Sequence, residues 1–219
     1  MSALTWGASG QKTYETGVSK GVLYPIGSGG YQNGVAFDGL TAVNENPSGG
    51  EPTKLYADNG VWIVMVSAEE YGYGIECYKT PPEFDACDGC AAIGTGVKIG
   101  QQTRTPFGFC YRTEIGNDEE GIDYGYVLHI AYNGIATPSQ KNHSTVNNDP
   151  EAETLSYDVT CTPIDPGITG RKPTCILEID STEVPAAKMK LIEDALYGTA
   201  STEPHILLPT DVLTILNAA

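Results

Sequence analysis

The chain has 219 residues, and its acidic side chains outnumber Lys and Arg 28 to 12, giving a formal charge of −16. Such a balance argues against a surface that grips DNA or RNA, which needs cations to neutralise phosphates, and against attraction to an anionic membrane. The length allows one large all-β domain or two small ones, with a core that needs no staples.

The first residues, Met1 to Gly7, have neither a basic stretch nor an apolar run of the kind a secretory leader carries, and no segment approaches membrane-spanning length. Cys77, Cys87, Cys90, Cys110, Cys161 and Cys175 are therefore expected as reduced thiols in a cytosolic setting. Residues 1–20 show no sustained period. They read as an extended arm with Trp6 and Tyr14 as isolated aromatics, either a frayed terminus or an arm that docks on a neighbouring subunit.

Gly21–Ile26 reads as a short strand, and the Gly-rich stretch to Gly34 as a hairpin loop. That stretch lacks the Lys-Ser/Thr and the following helix of a phosphate-binding loop. Val35–Glu45 is the next strand, interrupted near Asp38-Gly39. Thr53–Asp58 and Val61–Ser67 flank Asn59-Gly60, a strong hairpin signal. Val61–Val66 is apolar at every position, so the run is expected to be buried, in the core or between subunits. Tyr71, Tyr73, Ile75 and Cys77 alternate with small or polar residues. One helical turn is expected after Pro81-Pro82, and residues 91–102 are ambiguous.

Arg104–Asp180 carries the clearest signal. Phe107, Phe109, Tyr111, Thr113 and Ile115 alternate with Gly108, Cys110, Arg112 and Glu114. After a polar turn at 116–121, Tyr124–Tyr132 alternates again, and so does Leu155–Thr162. Side chains alternate between the two faces of a strand, so each segment is expected to offer one apolar and one small or polar face. Cys175–Asp180 is a fourth run. Thr182–Tyr197 is the one convincing helix, with Val184, Ala187, Leu191, Ile192 and Ala195 at helical spacing, a cap at Ser181 or Thr182, and Gly198 at its end. Residues 199–219 read as a tail with a weak Leu-rich turn.

Catalytic and metal signals are weak. Cys87-x-x-Cys90 has no partner pair to complete a zinc site, and His129, His143 and His205 are scattered. Glu69-Glu70, Glu119-Glu120 and Glu193-Asp194 are sequence neighbours whose side chains diverge, and no Gly-x-Ser-x-Gly elbow occurs. A hydrolase lacks its constellation; no enzyme, cofactor or metal is expected. A carbohydrate-binding β-sandwich of a baseplate or adhesin is the alternative that the Tyr content permits.

Several stretches, taken together and in order, resemble the major tail protein, or tail tube protein, of long non-contractile-tailed bacteriophages and related prophages. They include Gly34–Thr41, Gly50–Asn59, Ser67–Gly72, Ile99–Arg104, Tyr111–Thr113, Gly116–Asp118, Gly125-Tyr126 and Leu196–Gly198. The resemblance covers most of the chain; Cys90 departs from it, standing where a small residue is expected. It implies a mainly β fold, an antiparallel sandwich or barrel with one flanking helix (182–197) and long loops. The domain would span 21–198, between an N-terminal arm (1–20) and a C-terminal tail (199–219). It further implies a structural virion protein, assembled in the host bacterial cytoplasm, that forms stacked hexameric rings. Tail terminator, tape measure and baseplate proteins would be its partners, and double-stranded DNA would pass through without specific binding. On that reading Glu76, Glu114 and Asp158, opposite the apolar core, are candidates for the lumen wall. Trp6 and Tyr14 of the arm, with Pro52, Leu55 and Tyr56 of the loop over 45–59, are candidates for subunit contacts.

Overall fold

Alternating side chains build a sheet that must bury one face. In the computed structural model, which describes residues 4, 6–139, 141, 143, 145 and 152–218, that sheet curls around its own core. The chain opens with β1 (Tyr14–Gly27), β2 (Gly30–Tyr31), β3 (Val35–Phe37) and β4 (Leu40–Glu45). Next come β5 (Ser48–Gly49), β6 (Pro52–Ala57), β7 (Gly60–Val66), β8 (Glu69–Glu70) and β9 (Gly72–Cys77). A 3-10 turn at Pro82–Asp85 precedes β10 (Ala91–Gly94) and β11 (Val97–Ile99). The long pair β12 (Phe107–Asn117) and β13 (Gly121–Ala136), then β14 (Leu155–Cys161) and β15 (Ile176–Asp180), complete the strands; α1 (Ala186–Tyr197) and α2 (Pro209–Asn217) follow. The fold is mainly β and antiparallel, a sandwich-like β structure with flanking helices.

The main sheet runs β2-β1-β12-β13-β14-β9-β4, with β3 on β1 and β15 on β13. β3 pairs with the first side of the sheet and β4 with the last, and only Asp38 and Gly39 separate them. Gly39 takes φ +79°, a left-handed turn that suits glycine. This corner brings the two edges together and curls the sheet into an incomplete barrel. Inside lie Leu23, Phe37, Tyr73, Ile75, Phe107, Phe109, Tyr111, Tyr157 and Val159, with Phe84 and Cys87 closing one end. Phe84 sets its ring edge-on to Phe37, Phe107 and Tyr157 at centroid distances of 5.6, 5.6 and 4.9 Å, a favoured aromatic geometry.

The expectation of one apolar and one polar face per strand holds for β9 and β14 but not for the centre. There the outer face is buried too: Val22, Tyr24, Cys110, Leu128, Ile130 and Tyr132 form a second core beneath α1, α2 and the segment between them. Two buried tyrosines fix this layer. Tyr24 donates to the Leu196 carbonyl (2.6 Å) and Tyr132 to the Leu207 carbonyl (2.7 Å). A bulge lies where β13 changes partner from β15 to β14. Phe107 and Phe109 face Gly134 and Ala131, so Tyr132 and Asn133 oppose a single residue, and Asn133 is left-handed at φ 47°.

Three expectations for the termini are corrected. The strand expected at Gly21 begins at Tyr14, so the arm's last third pairs with β12. Bulges at Gly17 and Lys20, both left-handed, break the alternation that would have revealed it. The helix starts at Ala186, not Thr182: Ser181 Oγ accepts from the Tyr126 N–H, Thr182 donates to Asp180, and neither caps it. Its buried face is Met189, Ile192 and Leu196, while Ala187 and Leu191 are exposed. The tail is no appendage: Ile206, Leu207 and Val212 are buried, and α2 begins at Pro209 with Asp211 accepting from the Leu208 N–H.

Candidate assembly surface

β6 and β7 form a two-stranded hairpin that, among the described residues, pairs with no other strand. Asp58 and Asn59 are both left-handed, at φ 50° and 63°, and Ala57 faces Gly60. The two-residue turn is thus Asp58-Asn59, one position before the expected Asn59-Gly60, and still of the type that matches strand twist. The expectation that Val61–Val66 is buried fails for the core: every residue of β6 and β7 is exposed, Trp62 at 72% and Val66 at 66%. Pro52, Leu55 and Tyr56 lie on the same ribbon, Tyr56 at 70%. The sequence from Pro52 to Val66 carries only Lys54 and Asp58 as charges, so it is formally neutral on a chain of −16.

The arm lies elsewhere. Trp6 is 84% exposed. Tyr14 is half exposed and lays its ring over Gly116, where an added Cβ would sit 2.4 Å from the ring. Lys12 pairs with Asp118 (3.4 Å), and the Gly10 N–H donates to the same carboxylate, so this segment is tied to the β12–β13 turn. No described contact joins Trp6 and Tyr14 to the hairpin.

Glu76 and Asp158 meet on one surface. Tyr73, Ile75, Tyr157 and Val159 point inward, so the register Ser156–Glu76 and Asp158–Gly74 places both acids on the outward face of β9–β14. Asn44 donates to Glu76 (3.1 Å) and Asp158 is exposed. Glu114 shares the outward face but not the location. It lies in a cleft of about 520 Å³ bounded by β12, β13 and α1, bonded to Arg112 at 2.6 Å, with that guanidinium 4.5 Å from the centre of the Tyr126 ring.

Matched against models of known protein families the chain finds none, and it matches no curated protein.

A cluster that the sequence did not reveal occupies the open mouth of the barrel, opposite Phe84. His129 on β13 stacks on Tyr111 (centroids 4.6 Å, 3° between planes) and its side chain is 7% exposed. Glu15, Glu45 and Glu178 converge on it from β1, β4 and β15, at 3.4, 3.6 and 3.7 Å from ring nitrogens. Tyr111 donates to Glu45 Oε1 at 2.6 Å, and burial, then that bond, push its phenol well above the usual range. The four residues lie far apart in sequence, and only the barrel closure at β3–β4 brings Glu45 to the rest. All six cysteines are free thiols, Cys87 and Cys90 included. Among the described residues no helix is long and apolar enough to cross a membrane.

Proposed function

We propose that this chain is a structural, self-assembling protein whose copies join through the β6–β7 hairpin, in the manner of a phage tail tube subunit. One observation carries the reading: an apolar ribbon, Leu55-Tyr56 and Val61–Val66, stands in water on a highly acidic chain. An isolated two-stranded hairpin is marginal in water, and exposed apolar patches of this kind mark interaction surfaces. The occupant is a second copy of the same chain. Copies at −16 repel one another over most of their surface, and the hairpin is a formally neutral segment through which they can approach. The resemblance of the sequence to tail tube proteins supports the same reading and supplies the expected form, hexameric rings stacked in a virion tube. Under it Glu76 and Asp158 are the lumen candidates, while Glu114, neutralised by Arg112, contributes little to an acidic wall.

The test is the oligomeric state. Light scattering of purified protein should show assemblies that grow with concentration, and Trp62→Asp with Val64→Asp should abolish them while the chain stays folded. A wild-type protein that remains monomeric at high concentration, or that is retained by immobilised glycans or vesicles instead, would defeat the proposal.

A further inference from the structure

The geometry points to a divalent-cation site at the barrel mouth, formed by His129 Nδ1 and the carboxylates of Glu45 and Glu178, for an ion of the zinc type. The inference is independent of the assembly reading.

The tautomer of His129 follows from its neighbours. Thr113 gives its one hydroxyl proton to Glu15 Oε1. Its oxygen therefore accepts from His129 Nε2, 2.9 Å away, so Nε2 carries the ring proton. Nδ1 is then a bare acceptor. It is buried and has no hydrogen-bond partner, yet it faces Glu45 Oε1 at 3.6 Å and Glu178 Oε1 at 3.7 Å. Glu45 Oε1 accepts from Tyr111, but Nδ1, buried beside the two carboxylates, receives no proton, an arrangement that costs free energy unless a cation supplies its partner.

The spacing leaves room for a cation between the three groups. A protonated Nδ1 would draw a carboxylate to within ~3.2 Å to make a hydrogen bond. Ligands held ~2.0–2.2 Å from a tetrahedral zinc ion lie ~3.3–3.6 Å apart, close to the observed separations. All three ligand atoms lie within 4.8 Å of one another. The surroundings also suit a metal. A liganding imidazole characteristically gives its other N–H to an acceptor that fixes the ring, here Thr113 backed by Glu15. Tyr111 stacks on the imidazole and orients Glu45. Glu178 is 57% exposed, which leaves a route for the ion and space for water to complete the coordination. One imidazole and two carboxylates form a ligand set suited to zinc and its first-row neighbours.

Chelator-stripped full-length protein titrated with zinc chloride in a calorimeter should bind one ion per chain at this site. Long-range ¹H–¹⁵N spectra should show coordination at His129 Nδ1 with Nε2 still protonated. Glu178→Gln keeps the shape of an exposed side chain and should weaken binding at least tenfold, as should His129→Gln; Cys90→Ser should leave it unchanged. Absence of binding would overturn the proposal. So would equal affinity in Glu178→Gln, or a His129 ring whose nitrogen signals ignore the ion.

Discussion

Burial decides the chemistry of individual side chains here, and the thiols show it most plainly. Burial pushes Cys77 up to about 11 and Cys87, Cys110 and Cys161 up to about 12. The thiolate is the reactive form, so these four should resist alkylation in the native state at pH 8 while the partly exposed Cys90 reacts. Mass spectrometry after iodoacetamide should find fast labelling at Cys90 and six labels only after denaturation; a Cys87–Cys90 disulfide would contradict the assignment. The same shifts set a pH dependence. A thiol whose pKa is raised on folding keeps its proton after the unfolded chain has lost its own. The stability it contributes is complete below the unfolded value of ~8.5 and is lost as pH rises through the folded values. Urea midpoints should therefore fall progressively above about pH 9, a trend reinforced by the buried phenols Tyr24, Tyr71 and Tyr132, which burial also raises.

Single elements separate what sequence pattern can show from what it cannot. On α1 the structure buries Ile192 and leaves Leu191 about half exposed. Ile192→Ala should cost about 2–5 kcal/mol and Leu191→Ala no more than ~0.5 kcal/mol, both readable from denaturant unfolding. Equal losses would mean that α1 packs on a different face. Sequence reading takes Leu191 as core because it falls at helical spacing from Val184 and Ala187, on one stripe with Ile192. Only the sheet beneath, where Tyr24 captures the Leu196 carbonyl, settles the rotation of the helix. The strands from Phe107 to Cys161 were legible because a period of two is a local property. β1 before Gly21 was not, since two bulges erase the period. The second core escaped for a different reason: Gly108 and Cys110 read as a small-residue face, but smallness is what lets helices and tail lie close upon it. An added Cβ at Gly108 would approach Ile206 Cδ1 to 2.4 Å. The mouth cluster left no sequence signal at all. Its members sit on four strands, and the lone strand histidine at 129 had no nearby ligand to give it meaning.

At the scale of the whole molecule, charge and the apolar hairpin point the same way. An acidic surface repels duplex DNA, which carries one negative charge per ~1.7 Å of axis, though screening confines the effect to within ~8 Å at physiological salt. A low-salt gel shift should therefore show no duplex binding by the wild-type chain. If Glu76 and Asp158 line a tube, replacing both with Lys should let assemblies form yet create DNA binding within them. The two residues share one outward face, so their effect should exceed that of Glu114→Lys in its cleft. The most direct measurement of the central claim is negative-stain electron microscopy of purified wild-type protein beside the Trp62→Asp, Val64→Asp variant. The proposed function predicts rings or stacked tubes for the wild type and dispersed single particles of unchanged melting temperature for the variant. Dispersed particles from both, or tubes from both, would contradict it.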